Sequence, residues 1–243
     1  MDLHLYHCTN SVGLKGILSS MSFQPSYCLE KADYLNINKN FAFAMVCFAD
    51  LLDEELNDHM TCFKSSAYLR MKKDWAIRYG VNPVCYYNKN SPLAACIRVI
   101  INDCLIKYKA NNIDEENNKL NTPFFNGLNV FLGYMKQYKG RYWTSNDWSS
   151  ETIFFKEREW RYIPLVQNRE AYFLPEEEFL DKTLRKERQE ELIRNNYILQ
   201  FTLDDIEKIG ISDDRDMQWL NNEISSGKFP DDILYKVEKF KFH

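Results

Sequence analysis

Phe41-Ala42-Phe43-Ala44-Met45-Val46-Cys47-Phe48 is a continuous apolar run that no charged residue interrupts. A run of this length reads as a strand buried on both faces. Upstream of it, Leu3 to Cys8 alternates weakly and also reads as a strand. Asn10 or Ser11 can then cap a short helix carrying Val12, Leu14, Ile17 and Leu18. Residues 21–40 show no clean period and read as irregular. Downstream, Asp50 is placed to cap a short acidic helix from Leu51 to His59. Ala67 to Met71 reads as a strand, Asp74 to Tyr79 as a helix stopped by Gly80, and Val84 to Tyr87 as another strand.

The clearest helix follows. Ser91 suits an N-cap and Pro92 the first helical position. Leu93, Cys96, Ile97, Ile100, Ile101, Cys104, Leu105 and Tyr108 recur at helical steps. A polar loop over 109–121 leads to a second apolar face of Phe124, Leu128, Phe131, Leu132, Met135 and Tyr138. Residues 91–139 therefore read as a helical hairpin inserted in one α+β domain spanning 1–243. Further on, Ile153–Phe155 and Glu159–Pro164 read as strands, and Glu176–Asn195 as a charged, solvated helix. Tyr197–Thr202 is a strand, Leu203–Lys208 a helical turn, Ile209–Ser212 a short strand and Met217–Ile224 a final helix. Strands and helices are interspersed without βαβ spacing, which points to a mixed or antiparallel sheet.

Composition narrows the function classes. The 243 residues are 45% hydrophobic and 15% aromatic, enough to build a real core and too apolar for general disorder. A net charge of -4 speaks against a broadly basic nucleic-acid surface, so a nucleic-acid regulator ranks last. No apolar run reaches the roughly 18–20 residues needed to span a bilayer, and no secretory leader is visible. The seven cysteines include no C-x-x-C pair and only four histidines accompany them, so no structural metal site is expected. Reduced thiols in a cytoplasm are the expectation that follows. The few glycines form neither a dinucleotide-binding turn nor a P-loop.

Two stretches carry chemistry. In Tyr6-His7-Cys8-Thr9-Asn10, a histidine near the end of a strand is followed by a threonine and a capped helix. An imidazole and a hydroxyl presented together suit a ribose diol, because neutral imidazole both donates and accepts. The bland alternative is a strand histidine satisfied by backbone. In Lys156-Glu157-Arg158-Glu159-Trp160-Arg161-Tyr162, a strand would put Glu157, Glu159 and Arg161 on one face and Arg158, Trp160 and Tyr162 on the other. Two coupled carboxylates suit acid–base work or stabilisation of a developing cation. Arg161 could pair with one of them or hold a phosphate. A solvated strand edge with ion pairs over a buried Trp160 reads the same residues without chemistry.

Four blocks in order resemble the AbiGi family of abortive-infection proteins. They are Tyr6-His7-Cys8-Thr9, then Met45-Val46-Cys47-Phe48-Ala49-Asp50, then Lys73-Asp74-Trp75-Ala76-Ile77-Arg78-Tyr79-Gly80-Val81-Asn82-Pro83-Val84, and Glu157-Arg158-Glu159-Trp160-Arg161-Tyr162-Ile163-Pro164. They span residues 1–164. Ser65-Ser66-Ala67-Tyr68 stands where the family pattern carries a Tyr-Gly. The resemblance implies a phage-defence role in a bacterial cytoplasm, as the antitoxin-like half of a two-component system. The order of blocks is also similar to ADP-ribosyltransferase folds, the DarT type among them. That likeness implies an ADP-ribosyltransferase-like fold with NAD as substrate. His7 and Thr9 would bind NAD, Tyr68 would stack on it, and Glu159 or Glu157 would be catalytic. The acceptor would be a macromolecule, or water if NAD is hydrolysed. The alternative is a non-enzymatic antitoxin that grips a partner protein from its own locus through the 91–139 hairpin.

Overall fold

The computed structural model describes residues 2–31, 40–111, 127–128, 130–144, 147–165 and 173–240, with side chains over 104–111 outside the description. In chain order the first half has β1 (His4–Thr9), α1 (Ser11–Ser20), β2 (Ser22–Phe23), β3 (Ser26–Lys31), β4 (Asn40–Leu51), α2 (Asp53–Cys62), β5 (Ala67–Met71), α3 (Lys73–Arg78), β6 (Asn82–Pro83), β7 (Cys85–Tyr87) and α4 (Pro92–Asn111). The second half has β8 (Met135–Gln137), a 3-10 turn over Phe154–Glu157, β9 (Glu159–Tyr162), β10 (Phe173–Pro175), α5 (Glu176–Leu180), α6 (Lys182–Arg194), β11 (Leu199–Gln200), β12 (Ile206–Ile211), α7 (Asp214–Ser225) and β13 (Val237–Lys239).

The apolar run at 41–48 is the middle of β4, the strand around which the molecule is organised. The main sheet runs β13-β12-β5-β1-β4-β9-β6, and β3 and β10 also pair with β4. Pairing is antiparallel except between β12 and β13. The fold is therefore mixed α+β with a mostly antiparallel sheet. No helix among the described residues is long and apolar enough to cross a membrane.

Residues directly opposite one another in antiparallel strands share a face, and alternation then sorts every strand. The registers His7 to Leu69, Phe48 to Trp160 and Val46 to Tyr162 define one face. It packs on α1, α3 and α7 through Leu14, Leu18, Trp75, Ala76 and Leu220, forming the largest core. Trp75, wholly buried, sits among Phe23, Phe48 and Phe201 and donates its indole N–H to the Gln200 carbonyl at 3.1 Å. The registers Tyr6 to Ala49, Cys8 to Tyr68, Ala49 to Glu159 and Cys47 to Arg161 define the opposite face.

Several local expectations hold. Asn10 caps α1, its side chain accepting from the Gly13 N–H at 2.8 Å, while Leu14 and Leu18 face inward. Replacing Asn10 with Ala is expected to cost about 1 kcal/mol, read as a lower urea midpoint at unchanged slope. Pro92 opens α4, with Ser91 Oγ accepting from the Ala94 N–H at 3.3 Å. Gly80 ends the α3 segment at φ +74°, a conformation that costs glycine little.

Other expectations are corrected. The stretch called irregular contains β2 and β3, and β3 is satisfied along its length by β4. Asp50 belongs to β4 and pairs with Lys73 at 2.8 Å rather than capping a helix. The cap of α2 falls at Leu52, whose N–H is taken by the Glu55 carboxylate at 2.9 Å. The hairpin is realised in part. Its first helix is α4, but Met135–Gln137 is β8, paired in parallel with β7. Residues 127–128 and 130–133 are helical, Phe131 and Leu132 among them, but at Met135 the helical period loses to a backbone partner that is close only in the folded chain. Much of the segment joining them, 112–126, lies outside the described residues. The charged helix at 176–195 breaks at Asp181, which caps α6 by accepting from the N–H groups of Thr183 and Leu184. Phe154–Glu157 forms a 3-10 turn where Ile153–Phe155 reads as a strand.

Candidate functional site

The second face of the sheet carries two smaller apolar clusters and, with them, buried charge. Glu159 and Arg161 lie two residues apart on β9 and so project together. Arg161 donates from Nε to Glu159 Oε1 at 2.7 Å and from Nη2 to Glu159 Oε2 at 3.1 Å. It also donates to Glu30 Oε1 at 2.7 Å and to the Gly133 carbonyl at 2.5 Å. Lys136, on β8, reaches Glu30 at 2.9 Å and Glu159 at 3.5 Å, and stands 4.4 Å from the Phe154 ring centre. β3, β8 and β9 thus each give a charge to one buried cluster. Arg161 is 0% exposed, so protein groups such as these stand in for water around it.

The cluster forms part of the floor of an open cleft of about 710 Å³, which Glu157 and Glu159 both line. The two carboxyls are in opposite states. Burial raises Glu159, but the charges of Arg161 and Lys136 and hydrogen bonds from Arg161 and Cys47 outweigh it and hold the group at about 2. Glu157 has no hydrogen-bond partner among the described residues. Burial pushes it up to about 7, Lys136 opposing and Glu159 and Glu30 assisting. One acid is ionised at any ordinary pH; the other exchanges its proton near neutrality.

Glu157 is fixed by its neighbours in the chain. Arg158 takes a left-handed conformation at φ 43° that turns the chain out of the 3-10 segment into β9. Its side chain donates to the Asp50 carbonyl and pairs with Glu55. Tyr86 Oη donates to the Phe154 carbonyl at 3.1 Å and accepts from the Glu159 N–H at 2.8 Å, bracing the same junction from the other side.

The structure brings together Glu157, Glu159 and Thr9, which all line the cleft. It places the other expected binders elsewhere. His7 points into the first-face core between Phe23 and Phe48, its Nδ1 2.9 Å from the Cys47 carbonyl. Burial lowers its basicity, the backbone bond opposing. Tyr68 is on the cleft face but is 2% exposed, packed between Tyr6 and Phe240, with Gly210 beneath it. A Cβ on Gly210 would stand 1.9 Å from the Tyr68 ring, so only glycine admits this contact. Arg161 is sealed beneath Glu159 and is not part of the cleft wall. Glu30, Lys136 and His59 also line the cleft and were missed. Glu30 lay in the stretch without a period and Lys136 in a supposed helix, so only His59, one of four histidines, offered any signal. Among the described residues no group of three or more His, Cys, Asp or Glu is placed to hold a metal ion.

A family model described as putative abortive phage resistance protein AbiGi, antitoxin, matches residues 21–212. The chain belongs to the AbiGi family. The match begins after the Tyr6–Thr9 block and continues well beyond residue 164, so it takes in β2 to β12, the carboxylate pair and α6 and leaves out β1 and β13. An abortive phage resistance protein AbiGi from Lactococcus lactis subsp. cremoris is 27% identical over 176 residues. The alignment takes in 63% of this chain and 66% of that protein's length. No solved structure matches the chain, so the expected likeness to ADP-ribosyltransferase folds gains no structural neighbour.

Proposed function

We propose that this AbiGi protein serves abortive phage resistance as an enzyme whose cleft cleaves the glycosidic bond of a nucleotide. NAD is the substrate in this reading, and a macromolecule or water the acceptor. The observation that carries it is the Glu157–Glu159 pair, two carboxyls in one cleft with protonation states set apart at about 7 and about 2. As the bond between C1′ and the nicotinamide nitrogen breaks, its electron pair leaves with nicotinamide and positive charge develops on the sugar. Glu159, kept ionised by Arg161 and Lys136, faces that charge already oriented. Glu157 takes the proton from the acceptor hydroxyl as the new C1′–O bond forms, a task suited to a group titrating near neutrality.

The test uses purified protein and labelled NAD, with nicotinamide release and label transfer to host lysate followed together. Glu157→Gln keeps the shape and removes the base, and is expected to slow turnover by roughly 100-fold or more. No release from the wild type, with the partner gene product and phage lysate supplied, would reject the reading.

A second reading is favoured by a separate observation. Leu93, Val99 and Ile100 of α4 are 46%, 67% and 50% exposed, an apolar surface on the helix assigned to partner binding. In that case the chain restrains a protein of the same defence locus, as the antitoxin description suggests. Val99→Asp would then abolish co-purification with that protein while leaving the fold intact.

A further inference from the structure

The C-terminal turn of α2 and the residues after it form one wall of the cleft: His59, Cys62, Phe63, Lys64 and Ser65 all line it. His59 and Phe63 are four residues apart and so stack one above the other, with ring centres 4.7 Å apart. Tyr142 extends the aromatic surface, its ring 5.3 Å from Phe63. Phe63 leaves 38% of its area uncovered, although it is a large apolar ring beside polar groups. The His59 imidazole has no hydrogen-bond partner among the described residues. Burial lowers it to about 4 against the pull of the Glu159 charge, so it is neutral at pH 7 and offers one donor and one acceptor. Lys64 follows at φ 53° and has no ion-pair partner among the described residues. The end of a helix presents carbonyls and a partial negative charge, so an anion held there needs a cation such as Lys64.

We propose that the His59–Phe63–Lys64 wall seats a ribonucleotide, His59 bonding the ribose hydroxyls, Phe63 and Tyr142 carrying the base, and Lys64 meeting a phosphate. The assignment rests on the cleft being a nucleotide site and supplies the ribose ligand that His7, on the other side of the sheet, does not. A neutral imidazole suits hydroxyls because it can give and take a hydrogen bond at once. An exposed ring is sequence-tolerant towards bases, since every base has a flat face.

The experiment reads binding directly. The full chain, with its histidines isotopically labelled, is titrated with ADP-ribose at pH 7.5. Four histidines give a spectrum simple enough to assign with His59→Ala. The His59 ring signals are expected to move and saturate. His59→Ala and Phe63→Leu should each weaken ADP-ribose at least tenfold, His59→Gln less, since an amide also donates and accepts. Adenosine monophosphate should bind more tightly than its 2′-deoxy counterpart. The wild-type spectrum keeps the test valid even if a variant misfolds. ADP-ribose bound with His59 signals unmoved and affinities unchanged in the variants overturns this assignment and leaves the glycosidic reading standing. NAD turnover without any ADP-ribose binding overturns it as well. Neither binding nor turnover removes both.

Discussion

Arg161→Ala is expected to lower stability by about 3–5 kcal/mol, a large part of the roughly 5–15 kcal/mol that holds a domain of this kind together. The guanidinium is wholly buried and answers two carboxylates and the Gly133 carbonyl. Removing it leaves Glu159 with Lys136, at 3.5 Å, and the Cys47 hydrogen bond, and takes the guanidinium donor from the buried Gly133 carbonyl. The larger part of the loss is thus the cost of the groups left behind, not the worth of the pair. Arg161→Lys should recover only part of it, because an ammonium cannot bond Glu159 through two nitrogens. The double variant Arg161→Leu with Glu159→Leu should be less damaged than Arg161→Ala, since Lys136 and Glu30 still pair at 2.9 Å and no charge is stranded. Urea unfolding at pH 7 measures all three. A loss below 1 kcal/mol for Arg161→Ala would mean the cluster is not buried as described. The pH dependence has a definite sign. Glu159 is depressed from 4.5 to about 2, so its contribution is complete above about 4.5 and is lost as pH falls towards 2.

Glu157→Gln is expected to stabilise the protein at pH 8 while it destroys the activity proposed for the cleft. The native state holds this carboxyl at about 7 against an ordinary 4.5. Between those values the unfolded chain gives up the proton and the folded one keeps it. Stability therefore declines as pH rises from about 4.5 to about 7, by on the order of 3 kcal/mol at about 1.4 kcal/mol per unit. A neutral amide of the same shape carries no such penalty. Thermal unfolding from pH 4.5 to 8 should show the wild type losing ground that the variant keeps. Parallel curves would show that Glu157 ionises normally and would remove the ground for its role as a base. A group that weakens the fold where it is ionised is what a working site contains, because selection for function tolerates it.

The legible parts of this molecule are those decided within a few residues. Asn10 caps its helix through a contact three residues away, Pro92 begins α4 because its ring suits a first turn, and β4 is apolar over a length that only burial explains. The pairing of Glu159 with Arg161 was legible for the same reason, since alternation along a strand is a local rule. Glu157 escaped that rule because Arg158 adopts a left-handed conformation and turns the chain just before β9 begins. His7 is the strand histidine satisfied by backbone, one of its two readings, and the same rule could not choose between them. Alternation says that His7 and Cys8 face opposite ways, but not which way is the cleft.

By itself the sequence determined an α+β chain with a buried central strand, a long α4 helix and a carboxylate pair next to an arginine. It also carried the AbiGi blocks. Only the tertiary structure decided which sheet face became core and which became cleft. Only it made Met135–Gln137 a strand beside β7, gathered Glu30, Lys136 and Arg161 around Glu159, and brought His59 to the same cleft. The physical reason is range. Helix caps and strand alternation act over a few residues, whereas a buried charge is satisfied by whichever partners the fold delivers, here Glu30 and Lys136, 106 residues apart in the chain.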